Sequence, residues 1–198
     1  MKGAVEVALQ ANRLLTMTTS SNLPKESRTP VLIVVMGVSG SGKTTLGRAL
    51  AGHLNWRFLD ADDFHSAESR AHMASGKPLT DDMRKPWISA ICQELKEHAE
   101  DNRPAILAFS GLKKFHREPL RHCGLNVIFL HLTGERETLA QRMLARNDHF
   151  MPPSLLDSQL ETLEIPADEE DVFSLAIEEP LEDLLIQAEK LVNEHGNS

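Results

Sequence analysis

From residue 31 onward, apolar runs and periodic apolar positions take turns along the chain. Val31–Met36 reads Val-Leu-Ile-Val-Val-Met, mostly β-branched and without a polar residue. Such a run predicts a strand buried on both faces. Residues 44–54 then place Leu46, Leu50 and Leu54 four apart, the apolar face of a helix. A short second strand is predicted over 56–60. Residues 86–99 carry Ile88, Ile91, Leu95 and Ala99 at helical spacing, with Pro86 suited to the first turn. Two more apolar strands follow, over 105–109 and 127–132. Residues 135–146 predict a helix with Leu139 and Met143 on one face, and 172–177 a fifth strand. Leu181, Leu184, Leu185, Ala188, Leu191 and Val192 line a last helix. Five strands alternating with helices predict an α/β fold of three layers, a five-stranded parallel sheet with helices on both sides.

Residues 1–29 stand apart. Ser, Thr, Asn and Pro dominate residues 16–30, the composition of a flexible arm, which leaves 30–198 as the folded domain. Met17 opens that stretch and is a second candidate start. A total of 198 residues, 41% hydrophobic and 25% charged, suits one globular domain with a small lid. The net charge of −8 argues against non-specific nucleic-acid binding, which needs a basic footprint. Cys92 and Cys123 are too few for a disulfide framework. The longest apolar run, Val31–Met36, is too short to cross a bilayer. A cytoplasmic setting is the expectation.

Between the first strand and the first helix lies Gly37-Val38-Ser39-Gly40-Ser41-Gly42-Lys43-Thr44, which fits G-x-x-x-x-G-K-[ST]. The glycines let the backbone curl so that several N–H groups converge on phosphate. The following helix adds the positive end of its dipole. Lys43 supplies a point charge for the terminal phosphates and Thr44 a hydroxyl for Mg²⁺. Gly37, Ser39, Gly40, Ser41, Gly42, Lys43, Thr44 and Thr45 are therefore the expected ATP-binding residues. The motif says nothing about the phosphate acceptor.

The guanine-reading N-K-x-D and the switch motif D-x-x-G are both missing, which excludes a GTPase switch. The third strand ends in Ala108-Phe109-Ser110-Gly111, without the acid that motor and transporter ATPases place there. The second strand instead ends in Leu59-Asp60-Ala61-Asp62-Asp63. Acids there stand at the carboxyl end of the sheet, where ligands bind. Asp60 is the expected partner of Thr44 in the Mg²⁺ shell. Asp62 and Asp63 also suit helix capping.

Several stretches together resemble the gluconokinases of the shikimate-kinase-like group. They are Leu59-Asp60-Ala61-Asp62-Asp63-Phe64-His65-Ser66, the run from Met73 through Lys77-Pro78-Leu79-Thr80-Asp81-Asp82-Met83-Arg84 to Trp87, Ser110-Gly111-Leu112-Lys113-Lys114-Phe115-His116-Arg117, and Arg146-Asn147-Asp148-His149-Phe150-Met151. The resemblance covers roughly residues 31–192. It implies ATP-dependent phosphorylation of gluconate to 6-phosphogluconate in a homodimer. It also implies that Asp62 accepts or orients the attacking hydroxyl and that His65 touches the substrate or orients Asp62. A sugar acid calls for cations around its carboxylate, here Arg84, Lys113, Arg117 and Arg121. Arg142 and Arg146, on the helix before a lid over residues 147–159, are the arginines that would close on the phosphates. Gln159 and Glu161 would anchor that lid, and 166–171 would form the adenine-side loop. Gly111 and Pro119 depart from the family pattern, one expected to loosen the loop after the third strand and the other to interrupt a helix. Shikimate or another polyol acid as acceptor, and a nucleotide binder without catalysis, remain the alternatives.

Overall fold

The computed structural model describes residues 29–145 and 154–196. The arm up to residue 28, Arg146 and residues 147–153 of the expected lid lie outside the described residues. In chain order the elements are β1 (Val31–Met36), α1 (Lys43–Leu54), β2 (Arg57–Asp60), a 3-10 turn (Ala61–Phe64), α2 (Ala67–Ala74), α3 (Asp81–Glu100), β3 (Ala105–Phe109), α4 (Lys114–Arg121), β4 (Asn126–Thr133), α5 (Arg136–Leu144), α6 (Ser154–Thr162), β5 (Val172–Ala176) and α7 (Leu181–His195).

The five strands form one sheet in the order β2-β3-β1-β4-β5, and every pair is parallel. β1 is central. Leu32 pairs with Ala105 and Met36 with Phe109 on one side, and Val31 pairs with Asn126 on the other. Alternation along β1 divides the core. Leu32, Val34 and Met36 pack with Ile88, Ile91 and Leu95 of α3 and Leu120 of α4. Ile33 and Val35 pack with Leu46 and Leu50 of α1, Leu139 of α5, and Leu184, Ala188 and Val192 of α7. The residues from Leu32 to Met36 are all 0% exposed, which explains an apolar run where a half-buried strand would alternate. Each such side chain contributes about 1.5–3 kcal/mol of burial.

After β1 the chain passes to the edge strand β2, returns to β3, then crosses β1 to reach β4. The direction of winding changes beside β1, and the carboxyl ends of β1, β3 and β2 open a crevice there. The phosphate loop leaves β1, Asp60 closes β2, and Ser110 follows β3. Gly37 N–H donates to the Ser110 carbonyl at 3.3 Å, tying two of these ends together.

Two helices differ from expectation. α3 begins at Asp81, because the Thr80 hydroxyl accepts the Met83 N–H at 3.3 Å and caps it. Pro86 thus sits in the second turn and removes the amide that would reach the Asp82 carbonyl. Both residues are exposed, where water substitutes. α4 runs straight through Pro119. α2 was hidden because it buries only Ser69 and Met73, too few positions to show a period.

Candidate active site

Gly37, Gly40 and Gly42 all have positive φ, 142°, 83° and 94°. At Gly40 a Cβ would lie 2.6 Å from the Leu139 carbonyl oxygen of α5, so the loop lies flush against that helix only as glycine. Lys43 Nζ donates to the Val38 carbonyl at 3.0 Å across the loop. The Ser39 N–H donates to Gln159 Oε1 of α6 at 2.7 Å. Thr44 Oγ1 donates to Asp60 Oδ2 at 3.1 Å, while Asp60 Oδ1 accepts the Asp62 N–H at 3.2 Å. Asp60 is thus both the neighbour of Thr44 and the cap of the 3-10 turn. That leaves Asp62 uncommitted to capping, and α2 is capped by Ser66 instead of Asp63.

An open cleft lies over these strand ends. Lys43, Thr44, Asp60, Asp62, His65 and Arg84 line it, together with Trp87 and, from α6, Leu155, Ser158, Gln159 and Thr162. His65 stacks on Trp87 with ring centroids 4.4 Å apart, and Trp87 Nε1 donates to the Ala61 carbonyl at 2.6 Å. Burial first, then the charges of Arg70 and Arg84, push the His65 pKa down to about 4. The imidazole is therefore neutral near pH 7, with Nε2 3.8 Å from Asp62 Oδ1. Trp87 is thus the platform that holds His65.

Arg84 and Lys113 meet at a residue the sequence did not single out. Lys113 Nζ donates to both carboxylate oxygens of Asp81, at 3.1 and 2.9 Å, and Arg84 Nη1 donates to one of them at 3.3 Å. Arg84 lines the cleft; Lys113 stands behind it, against Asp81. His116 joins the cluster. Its Nδ1 accepts the Lys113 N–H at 3.4 Å, and its buried Nε2 lies 3.8 Å from Asp81. Burial is the main reason its pKa is lowered to about 4. Thr80-Asp81 at the start of α3 was the available signal for Asp81; His116 left none.

Arg117 and Arg121, expected at the acceptor, do not line the cleft. The Arg117 side chain is 0% exposed and forms a two-pronged pair with Glu169, donating also to the Gly111 carbonyl at 2.5 Å and the Glu164 carbonyl at 3.3 Å. Arg121 forks onto Asp171 at 2.7 and 2.8 Å, reaches Glu169 at 2.6 Å and lies over the Phe129 ring. Most donors of the pair strap residues 164–171 to α4, and Arg117 Nη1 ties Gly111 to the same helix. Burial opposes ionisation of Glu169, but its bonds to Arg117 and Arg121 outweigh that and hold its pKa below the ordinary value. Gly111 is correspondingly fixed, with φ at +60° and a Cβ position 3.1 Å from Met36 Sδ, so it does not loosen its loop. Pro119 lies inside α4 and removes the amide that would reach the carbonyl of Phe115, an exposed residue.

A second cavity lies on the other side of the phosphate loop, lined by Gly40, Gly42, Thr45, Arg142, Ile177 and Glu179 among others. Arg142 Nη2 donates to the Ile177 carbonyl at 2.7 Å, which places it here and not over the acceptor cleft. The stretch 166–171 lines neither cavity.

The shikimate kinase family model matches residues 39–180. A gluconokinase of Gluconobacter oxydans (strain 621H) is 44% identical over 148 residues, 74% of this chain and 83% of the relative. The chain belongs to the gluconokinases of the shikimate kinase family. A solved gluconokinase from Sinorhizobium meliloti 1021 superposes with TM-score 0.73 at 40% identity, covering 86% of this chain and 96% of that one. A shikimate kinase from Acinetobacter baumannii shares the fold, with TM-score 0.58 at 22% identity over 85% of this chain and 95% of that one. Family membership makes the protein a phosphotransferase that uses ATP. Among the described residues, no helix is long and apolar enough to cross a membrane.

Proposed function

We propose that the protein transfers the γ-phosphoryl group of ATP to D-gluconate, forming 6-phospho-D-gluconate and ADP. The observation that carries this reading is the single cleft in which Lys43 and Thr44 of the phosphate loop face Asp62, His65 and Arg84. The gluconokinase relatives support the choice of acceptor.

In this reading the loop amides and Lys43 hold the phosphates, while Thr45 and Arg142 belong to the nucleotide side of the loop. Thr44 Oγ1 and Asp60 Oδ2, 3.1 Å apart, form an all-oxygen pair of the kind that Mg²⁺ takes together with phosphate oxygens and water. Bound there, Mg²⁺ would neutralise charge on the phosphates. Arg84 takes the carboxylate of the sugar acid, with Lys113 acting through Asp81. Asp62 orients the terminal hydroxyl and accepts its proton as the oxygen bonds to the γ-phosphorus and the bond to the bridging oxygen of ADP breaks. Neutral His65, held by Trp87, steadies the Asp62 carboxylate without competing for that proton. The division into an arm over 1–29 and a kinase domain over 30–198 belongs to the same proposal. So does a cytoplasmic homodimer; family resemblance supports it, and light scattering tests the dimer.

The deciding experiment is a coupled ATP-consumption assay with Mg²⁺ over gluconate, shikimate, glucose, glycerate and nucleoside monophosphates. Turnover confined to gluconate is expected, with Asp62→Asn lowering kcat by about 10²–10⁴-fold. Turnover on shikimate instead, or on no acceptor, would replace this reading by a different kinase or a non-catalytic binder.

A further inference from the structure

Three groups of the phosphate loop already have protein partners: Lys43 on the Val38 carbonyl, Thr44 on Asp60 and Ser39 N–H on Gln159. Two of these partners belong to the loop and to the edge strand β2. Gln159 does not. It comes from α6, 120 positions away in sequence, and lines the acceptor cleft with Asp62, His65 and Arg84. α6 itself is seated by Leu155 and Leu156, which are 4% and 2% exposed, so its side chains can exchange partners without the helix leaving its place. Thr162, another polar residue of this wall, is turned back onto the Ser158 carbonyl at 2.6 Å.

A curled loop of this kind offers its backbone amides to phosphate oxygens. The Gln159 carbonyl oxygen therefore sits on a donor that an anion can claim. Phosphate wins that exchange, because hydrogen bonds to a charged acceptor are about twice as strong as those between neutral groups. The displaced carbonyl oxygen of Gln159 remains on the cleft wall, an acceptor suited to the hydroxyls of a polyol.

We propose that Gln159 couples the two substrates: nucleotide phosphate takes the Ser39 N–H, and the displaced Gln159 carbonyl oxygen turns to the acceptor's hydroxyls. The acceptor half of this proposal rests on the function proposed above. Gln159 is thus a positioning residue for the acceptor and an internal occupant of the donor site. Linkage requires the effect to be reciprocal.

The test is titration calorimetry of gluconate into the full-length protein, with and without a non-hydrolysable ATP analogue and Mg²⁺. Binding about 5-fold tighter or more with the analogue is expected for the unsubstituted protein, in the ordinary range of coupling between sites. Gln159→Leu should reduce that ratio to less than about 2-fold while binding the analogue at least as tightly, since the competitor for Ser39 is gone. Gln159→Glu, which keeps an acceptor but adds charge beside the phosphates, should instead weaken the analogue by about 10-fold or more. Circular dichroism confirms that both variants fold. An unchanged ratio in Gln159→Leu overturns the proposal, as does a ratio of one in the unsubstituted protein. Failure of gluconate to bind in either state overturns the acceptor assignment as well, a result distinct from loss of coupling alone.

Discussion

Replacing Glu169 by alanine separates the structural account of Arg117 from a substrate-binding one. The side chains of Arg117 and Glu169 are 0% and 6% exposed, so solvent does little to screen the charge left behind. Removing one partner of a buried pair costs about 3–5 kcal/mol. Arg117 keeps the Gly111 and Glu164 carbonyls, and Arg121 keeps Asp171, which sets the expectation at the lower end, about 3 kcal/mol. For a chain of 198 residues, that loss lowers Tm by about 6–12 °C. Urea titration and thermal melts measure it, and KM for gluconate is then read well below the transition. KM should stay within about 3-fold, because neither residue reaches the cleft. Glu169→Gln, which keeps an acceptor, should lose less stability than Glu169→Ala. A stability change under about 1 kcal/mol together with a large rise in KM would refute the argument and return Arg117 to the acceptor site.

Two further predictions follow from geometry and charge. Gly40→Ala drives a Cβ to within 2.6 Å of the Leu139 carbonyl at a φ of +83°; strain of about 1–3 kcal/mol should weaken nucleotide binding by roughly 10-fold or more, measured by calorimetry. His65 and His116, each with a pKa lowered from 6.5 to about 4, bind protons more readily in the unfolded chain. Their contribution is therefore intact above pH 6.5, falls between there and about pH 4, and is flat below. Burial lowers the His131 pKa as well, so His131 shares that window, and removing one of these histidines by His116→Asn should reduce the slope of stability against pH by at most about 1.4 kcal/mol per pH unit.

Much of the fold was legible because burial writes itself into composition. All five strands were placed within a residue or two, and the three central ones, β1, β3 and β4, were the plainest, since a strand buried on both faces has no option but apolar residues. Helices that bury few side chains left no such mark: α2 shows only Ser69 and Met73, and α6 overlaps the end of a stretch read as a lid. The phosphate loop and Asp60 were legible for a different reason, because their chemistry demands fixed residues at fixed spacing. The basic cluster after β3 was not. Lys113, Arg117 and Arg121 look alike in sequence, yet Glu169 and Asp171, some fifty positions on, take two of them away from the cleft. Asp81 holds the third. A cation's role depends on which carboxylate finds it first, and that is a property of the folded chain. Arg142 shows the same limit, because helical spacing predicts its face but not which side of the loop that face meets.

The placement of β1 at the centre of the sheet has a consequence for synthesis. Its two neighbours are β3 and β4, and the first of them begins only at Ala105. At about 5–20 residues per second, the ribosome takes several seconds to supply that partner after Met36 has been made. Throughout that interval Val-Leu-Ile-Val-Val-Met is a nascent segment of high β-propensity with no charge and no strand to join, the type that sticks to copies of itself. Yield in cells should therefore respond to translation speed and to chaperone supply before it responds to the stability of the finished molecule. A charge introduced into β1 to relieve this would fall in the fully buried centre of the sheet, so the hazard is inseparable from the fold.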